Sequence, residues 1–330
     1  MNRAYLSTYS STYSPMYPHL ISQIFNRAHM MTPELMALAV ELARSHLFSD
    51  ASAATLPQTA MQGAGPDDED DGEDDDTASG IAMISIAGPL VPRTGNLKLC
   101  QQMTAYESVA AQVNAALSDP DVAHIVFDID SPGGAATGAF ELADQIRAAG
   151  QIKPTTAIVH FSAMSGAYLL AAACNDISVS QSSGVGSIGV IAQHMDVSKM
   201  NEAMGIKITA VYCGDMKNNL TPNEPLTEGS LQQLTQMVNR SYQQFTGAVA
   251  QFRAMPQQQV IDTQAALYFG QEAVDAGLAD RLETPQEAID RIASGIADTR
   301  AVQTQQSFRM QMQRQALHLR ASAMNLQVHM

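Results

Sequence analysis

The stretch AHIVFDIDSPGG, residues 123–134, decides the architecture. Ile125, Val126, Phe127 and Ile129 form a short apolar run without helical spacing, and the run enters Pro132 and two glycines directly. It reads as a buried strand ending in a tight turn. Outward from it, apolar strands alternate with amphipathic helices. Upstream, IAMISIAGPL (81–90) reads as a strand and ESVAAQVNAALSD (107–119) as a helix. Downstream come a helix in FELADQIRAAG (140–150), a buried strand in TTAIVHF (155–161) and a helix of small and apolar residues in SGAYLLAAAC (165–174). This order predicts an α/β fold with a mainly parallel sheet. ISVSQSSGVGSIGVI (177–191) predicts short strands around a tight turn, and Ile208–Val211 another strand. Helices are expected over about 227–253 and 271–276.

Composition narrows the function classes. The chain has 330 residues, 45% of them hydrophobic, enough for a sizeable core. It contains no run of about 18 apolar residues and no basic-then-apolar leader, so neither a membrane anchor nor secretion is expected. Cys100, Cys174 and Cys213 have neither the even count of a disulfide framework nor CxxC spacing, which points to a reducing compartment and to no metal site. A net charge of −15 argues against a nucleic-acid partner. Nine of those charges lie in DDEDDGEDDD (67–76), and setting them aside leaves only −6 for the rest. From residue 300 onward there are four arginines and no acid.

These shifts divide the chain. Residues 1–30 are expected to be a disordered N-terminus, Ser/Thr/Tyr-rich at its start. An amphipathic helix is expected over 31–48, capped by Thr32 with Pro33 in its first turn and Leu35, Leu38, Ala39 and Leu42 on one face. Residues 49–80 read as a flexible acidic linker, 81–298 as the principal domain, and 299–330 as a Gln/Met-rich basic tail, helical or poorly ordered.

Several residues could carry chemistry. In Ser131-Pro132-Gly133-Gly134 the two glycines let backbone N–H groups approach a bound group and hold a developing oxyanion; a plain strand-to-helix turn is the alternative. Ser165 falls between a strand and a helix, which would expose Oγ at a helix N-terminus; serine is also a good N-cap. A nucleophilic serine needs a base. His160 reads as a core histidine in an apolar strand, and His194 as a loop residue able to bond Asp196. Lysine can serve instead when burial disfavours its charged form. Among the five lysines, Lys199 and Lys207 read as lying on a helix face and a strand, while Lys217 follows an apolar strand in a loop. Asp128, Asp130 and Asp176 are the acids available as a third partner, with Asp176 read as a helix or turn cap.

Order and spacing combine these signals. SPGG, Ser165-Gly166, GSIGVI (186–191) and Lys217, 52 residues beyond the serine, follow one another as in the serine peptidases related to signal peptide peptidase A. The chain resembles that family from about Ile81 to Leu282, through AFELADQIR, SGAYLLAAACNDI, HMDVSKMNEAMGIKIT and AALYFGQEAVDAGLADRL. The resemblance implies a fold shared with the Clp protease and crotonase superfamily, and a Ser–Lys dyad. In it Ser165 would be the nucleophile, Lys217 the general base, and Gly133 and Gly134 the oxyanion hole, with Ser187 near the dyad. No metal or organic cofactor is implied.

The layout, with an N-terminal helix, an acidic tether and a short tail, is similar to the phage-encoded prohead or head-maturation proteases. That branch implies a homo-oligomer acting inside the prohead in the host cytoplasm on capsid, scaffold or portal protein, and on its own flexible ends. Three alternatives stay open: a soluble host-type peptidase, a catalytically idle assembly adaptor, and a crotonase-like thioester enzyme.

Overall fold

In chain order the strands are β1 (His29–Met31), β2 (Ile81–Ala87), β3 (Leu90–Val91), β4 (Thr104–Ala105), β5 (His124–Ser131), β6 (Gly133–Ala135), β7 (Thr155–Met164), β8 (Asp176–Val179), β9 (Gly184–Gly186), β10 (Leu267–Phe269) and β11 (Arg281–Leu282). The helices are α1 (Pro33–Phe48), α2 (Tyr106–Ser118), α3 (Ala139–Ala149), α4 (Gly166–Ala173), α5 (Ser198–Ala203), α6 (Glu228–Phe252), α7 (Gln257–Asp262), α8 (Gln271–Asp275) and α9 (Pro285–Val328). The computed structural model describes residues 22–48, 80–93 and 103–328. Residues 1–21 and nearly all of the acidic tether lie outside these.

Apolar residues on both faces of β5 make it a central strand, because both faces must be covered. It runs parallel to β2 on one side and to β7 on the other. Ile125, Phe127 and Ile129 join the main core with α2, α3, α4 and α6, whereas Val126, with Ile81 and Ile158, meets Ala288, Ile292 and Ile296 of α9. The free edge of β7 forks: Thr156–Val159 pairs with β8, and Ser162–Met164 pairs with β9. All of these pairings are parallel, as expected for the fold class; only β10, on β9, runs antiparallel in this sheet. A second sheet has the order β1-β6-β3-β4.

Between β5 and β7 the register shifts. Ile129 faces Val159, but Ser131 faces Ala163, so β7 carries two extra residues. Such a bulge re-aims side chains. His160 and Phe161 are thrown outward and exposed, and the His160 imidazole lies 3.4 Å from Asp128. His160 is therefore not the core histidine that an uninterrupted apolar strand implies.

Three further expectations are corrected. The expectation of a disordered N-terminus fails at residues 22–30, where Ile24, Phe25 and Met30 are buried and β1 pairs with β6. Ser/Thr/Tyr content upstream masks the apolar content of this segment. Asp176 caps nothing; it opens β8 and takes ion pairs from Arg281 at 2.8 Å and Arg291 at 3.1 Å. Ile208–Val211 forms no strand, and every residue from 202 to 217 is exposed, because among the described residues no neighbouring strand covers its apolar side chains.

Candidate active site

β7 ends at Met164, and α4 begins at Gly166, so Ser165 alone makes the turn. It does so with φ 54° and ψ −114°, outside the regions an L-residue favours. A strained serine between strand and helix is the geometry that presents a nucleophile, and such strain costs roughly 1–3 kcal/mol. Two bonds hold it there: its N–H donates to Gly186 O at 2.8 Å, and its C=O accepts the first helical bond from Leu169 N at 3.1 Å. Ser165 makes no side-chain cap, so the capping alternative is not what the residue does. Its Oγ faces Gly189 O at 3.4 Å, a long contact, and the residue is 0% exposed.

The SPGG turn arrives from the neighbouring strand. Ser131 Oγ donates to Gly88 O at 2.7 Å and accepts from Gly133 N at 3.2 Å, which sets the turn. Gly133 has φ +91°, and a Cβ there would lie 3.0 Å from Gly166 N and 2.2 Å from Met30 O. At Gly134 a Cβ would lie 2.0 Å from Leu90 O. Only glycine lets these backbones approach so closely. Tyr106 braces the far end of β6 by donating its buried hydroxyl to Ala135 O at 2.6 Å, and burial pushes that phenol up from its ordinary pKa. Gly133, Gly134, Ser165 and Gly166 thus share one backbone nest at the N-terminus of α4, where amide donors and the helix dipole favour negative charge.

Ser187 sits on the opposite wall. Its φ is 53°, and its N–H donates to Ala266 O at 3.0 Å, one residue after the Gly186 carbonyl that holds Ser165. Lys217 is not part of this packing. It is exposed, its backbone N–H donates to Gly214 O at 2.9 Å, and among the described residues no hydrogen bond joins it to Ser165. The structure therefore brings together Ser165, Gly133, Gly134 and the backbone of Ser187, and leaves Lys217 outside. Asp130 accepts from Ser162 Oγ at 2.9 Å, Asp128 pairs with His160, and His194 bonds Asn26 at 2.9 Å instead of Asp196. Asp196 accepts from Ser198 N at the start of α5, 2.8 Å away.

Sequence reading missed Gly88, Tyr106, Gly189 and above all Met30, whose carbonyl lies against the nest. The short apolar run Ile24-Phe25 and the Met30-Met31 pair ahead of the Thr32-Pro33 helix start were the signal for that segment. Among the described residues no helix is long and apolar enough to cross a membrane.

A family model described as Peptidase family S49 matches residues 147–298. That span takes in Ser165, Ser187 and Lys217, and begins after Gly133 and Gly134. Over 282 residues the chain is 36% identical to capsid assembly protease C of Escherichia phage lambda, covering 82% of this chain and 64% of that protein. It is 36% identical over 218 residues to the head-tail preconnector protein GP5 of Enterobacteria phage P21, covering 66% of this chain and 44% of that one. To the chloroplastic serine protease SPPA of Arabidopsis thaliana it is 26% identical over 211 residues, covering 63% and 31%. The chain spans less than two thirds of the length of each of these relatives. Residues 147–298, on a mainly parallel α/β sheet of the Clp protease and crotonase type, thus match peptidase family S49.

Proposed function

We propose that the protein is a serine endopeptidase of phage capsid assembly, cleaving coat, scaffold or portal protein within the prohead in the host cytoplasm. The observation that carries this reading is the strained Ser165 elbow packed against the glycines of the SPGG turn. The similarity to a capsid assembly protease and a head-tail preconnector protein supplies the setting.

Lys217, in its neutral form, takes the Ser165 hydroxyl proton as Oγ attacks the peptide carbonyl carbon. The oxyanion forms against N–H groups of the Gly133–Gly134 turn and Gly166, where preorganised donors are worth most. The C–N bond breaks, and the lysine returns its proton to the leaving amine. Water, deprotonated in turn, hydrolyses the Ser165 ester. Ser187 orients the lysine. This chemistry requires Lys217 to move from solvent to the serine, and desolvation there favours its neutral form. The exposed apolar residues Ile208, Val211, Tyr212 and Met216 support docking of this arm on a second copy of the chain, hence a homo-oligomer.

The test is co-expression of wild type, Ser165→Ala and Lys217→Ala with phage coat, scaffold and portal proteins, reading the intact mass of every chain. The expected result is trimming by wild type alone. One observation, that Lys217 is exposed and makes no hydrogen bond to Ser165, favours a second reading as an idle assembly adaptor. Identical masses in all three preparations, with the protein still incorporated into proheads, would establish that reading instead.

A further inference from the structure

The segment 28–32 crosses the nest as an extended strand with neighbours on both sides. Towards β6, Ala136 N donates to Ala28 O at 3.2 Å and Thr32 N to Pro132 O at 3.1 Å, with Met30 opposite Gly134. Towards the other wall, His29 N donates to Ile191 O at 2.8 Å and Ile191 N to His29 O at 2.9 Å. β3 already occupies the other edge of β6. The edge of β6 beside the serine therefore has a single vacancy for an added strand, and the chain's own residues fill it.

Met30 is the centre of this contact. Its side chain is fully buried, and its carbonyl oxygen lies 2.2 Å from where a Cβ of Gly133 would stand and 3.0 Å from that of Gly166. A peptide carbonyl here faces the same backbone that would receive a substrate's. Asn26 ties the segment down at φ 59°: its N–H donates to Gln193 O at 2.8 Å, its Nδ2 to Leu220 O at 2.9 Å, and its Oδ1 meets His194. Leu220 is three residues from Lys217, so one short segment both covers the serine and anchors the loop of the lysine. Ser165 is buried in this state.

We propose that the groove between β6 and Ile191 is the binding channel for an extended peptide, and that residues 28–32 are its intramolecular ligand, a latch that must leave before a substrate strand enters. Strand addition to a sheet edge supplies main-chain hydrogen bonds to any sequence, and an apolar pocket of Met30's size supplies selectivity. A latch of this kind lowers apparent peptide affinity by the fraction of molecules that are open. The proposal rests on the peptidase reading for its purpose, but the binding it describes can be measured without catalysis.

The experiment uses the full chain carrying Ser165→Ala, Cys100→Ser and Cys213→Ser. His29→Cys with Ala135→Cys adds a reversible clamp, since these residues face each other as a non-hydrogen-bonded antiparallel pair, close enough for a disulfide. The probe is a fluorescein-labelled synthetic peptide of residues 26–33, followed by anisotropy. The reduced protein is expected to bind it, and the oxidised protein to bind about tenfold or more weakly. Asn26→Ala, which loosens the latch without touching the nest, is expected to bind it more tightly than its parent. Equal binding by oxidised and reduced protein, or binding by none of the forms, overturns the latch. Peptide binding that follows this pattern, with no cleavage once Ser165 is restored, would remove the peptidase reading and leave the latch standing.

Discussion

The two ends of the proposed dyad sit in opposite kinds of structure. Ser165 and the glycines of the SPGG turn lie at the ends of β5 and β7, where backbone carbonyls and amides of Gly186, Gly88 and Leu90 press against them. Residues 202–217 carry no strand, every side chain is exposed, and Val211 is 96% exposed. A parallel sheet can prepay the cost of holding a strained nucleophile and an anion nest in place, since its strands are ordered by the core in any case. It supplies nothing comparable to a segment beyond its edge. Order in the lysine arm has to come from somewhere else, which is why assembly enters the proposed mechanism.

The largest expected effect breaks the rigid side. Gly134→Ala puts a Cβ at 2.0 Å from the Leu90 carbonyl, a backbone atom that cannot swing away. A loss of more than about 3 kcal/mol in chemical denaturation is expected, together with loss of peptide cleavage. Gly134→Ala with native stability would show that the nest is more plastic than its packing implies.

Next in size is a change confined to the arm. Val211→Asp buries nothing in the isolated chain, so its denaturation midpoint should stay within about 0.5 kcal/mol of wild type. If the arm docks on another copy, an aspartate in that contact weakens self-association and lowers cleavage by about tenfold or more. Sedimentation and cleavage assays on the same sample read both. Unchanged cleavage would place the arm outside the mechanism.

Acid sharpens the contrast from the core side. Burial pushes the His124 imidazole from 6.5 down to about 4; Arg291 acts in the same direction and Asp176 opposes it. Its Nε2 meets Thr156 Oγ1 at 2.9 Å. The native state keeps this ring neutral, whereas the unfolded chain protonates it below about 6.5, so the contribution is whole above pH 6.5 and is lost as pH falls towards 4. Between pH 7 and pH 5, wild type should lose about 1 kcal/mol more than His124→Gln, a figure already reduced for solvent screening. Equal losses would mean that the ring is solvated in the native sheet. The smallest effect belongs to the arm again: Gly205→Ala at φ +71°, with nothing within 4 Å, should cost about 1 kcal/mol, from backbone strain alone.

Much of this could be read along the chain. The alternation of apolar strands and amphipathic helices, the α/β class, the Thr32-Pro33 helix start and the long α6 behind Thr227 all follow from local patterns, because burial on both faces of a parallel strand leaves an unbroken apolar run. Ser165 and the SPGG glycines were legible for a similar reason: a strained elbow and a close backbone approach tolerate few residue types. Periodicity misled where a neighbour was assumed. TTAIVHF looks continuous, yet a bulge invisible in residue types turns His160 outward. Ile208–Val211 has strand composition, but a strand exists only if another strand lies alongside it, and none does here.

The sequence by itself determined the class of fold, the order of its main strands and helices and the candidates for nucleophile and oxyanion chemistry, since each is written in local spacing and in the demands of single backbone positions. Tertiary structure alone decided that Met30 lies across the serine, that Asn26 anchors the loop of Lys217, and that Lys217 itself stays in solvent. The pairings of Met30 with Gly134 and of Asn26 with Leu220 join residues 104 and 194 positions apart, and the choice among such partners is made by packing and hydrogen-bond geometry in three dimensions.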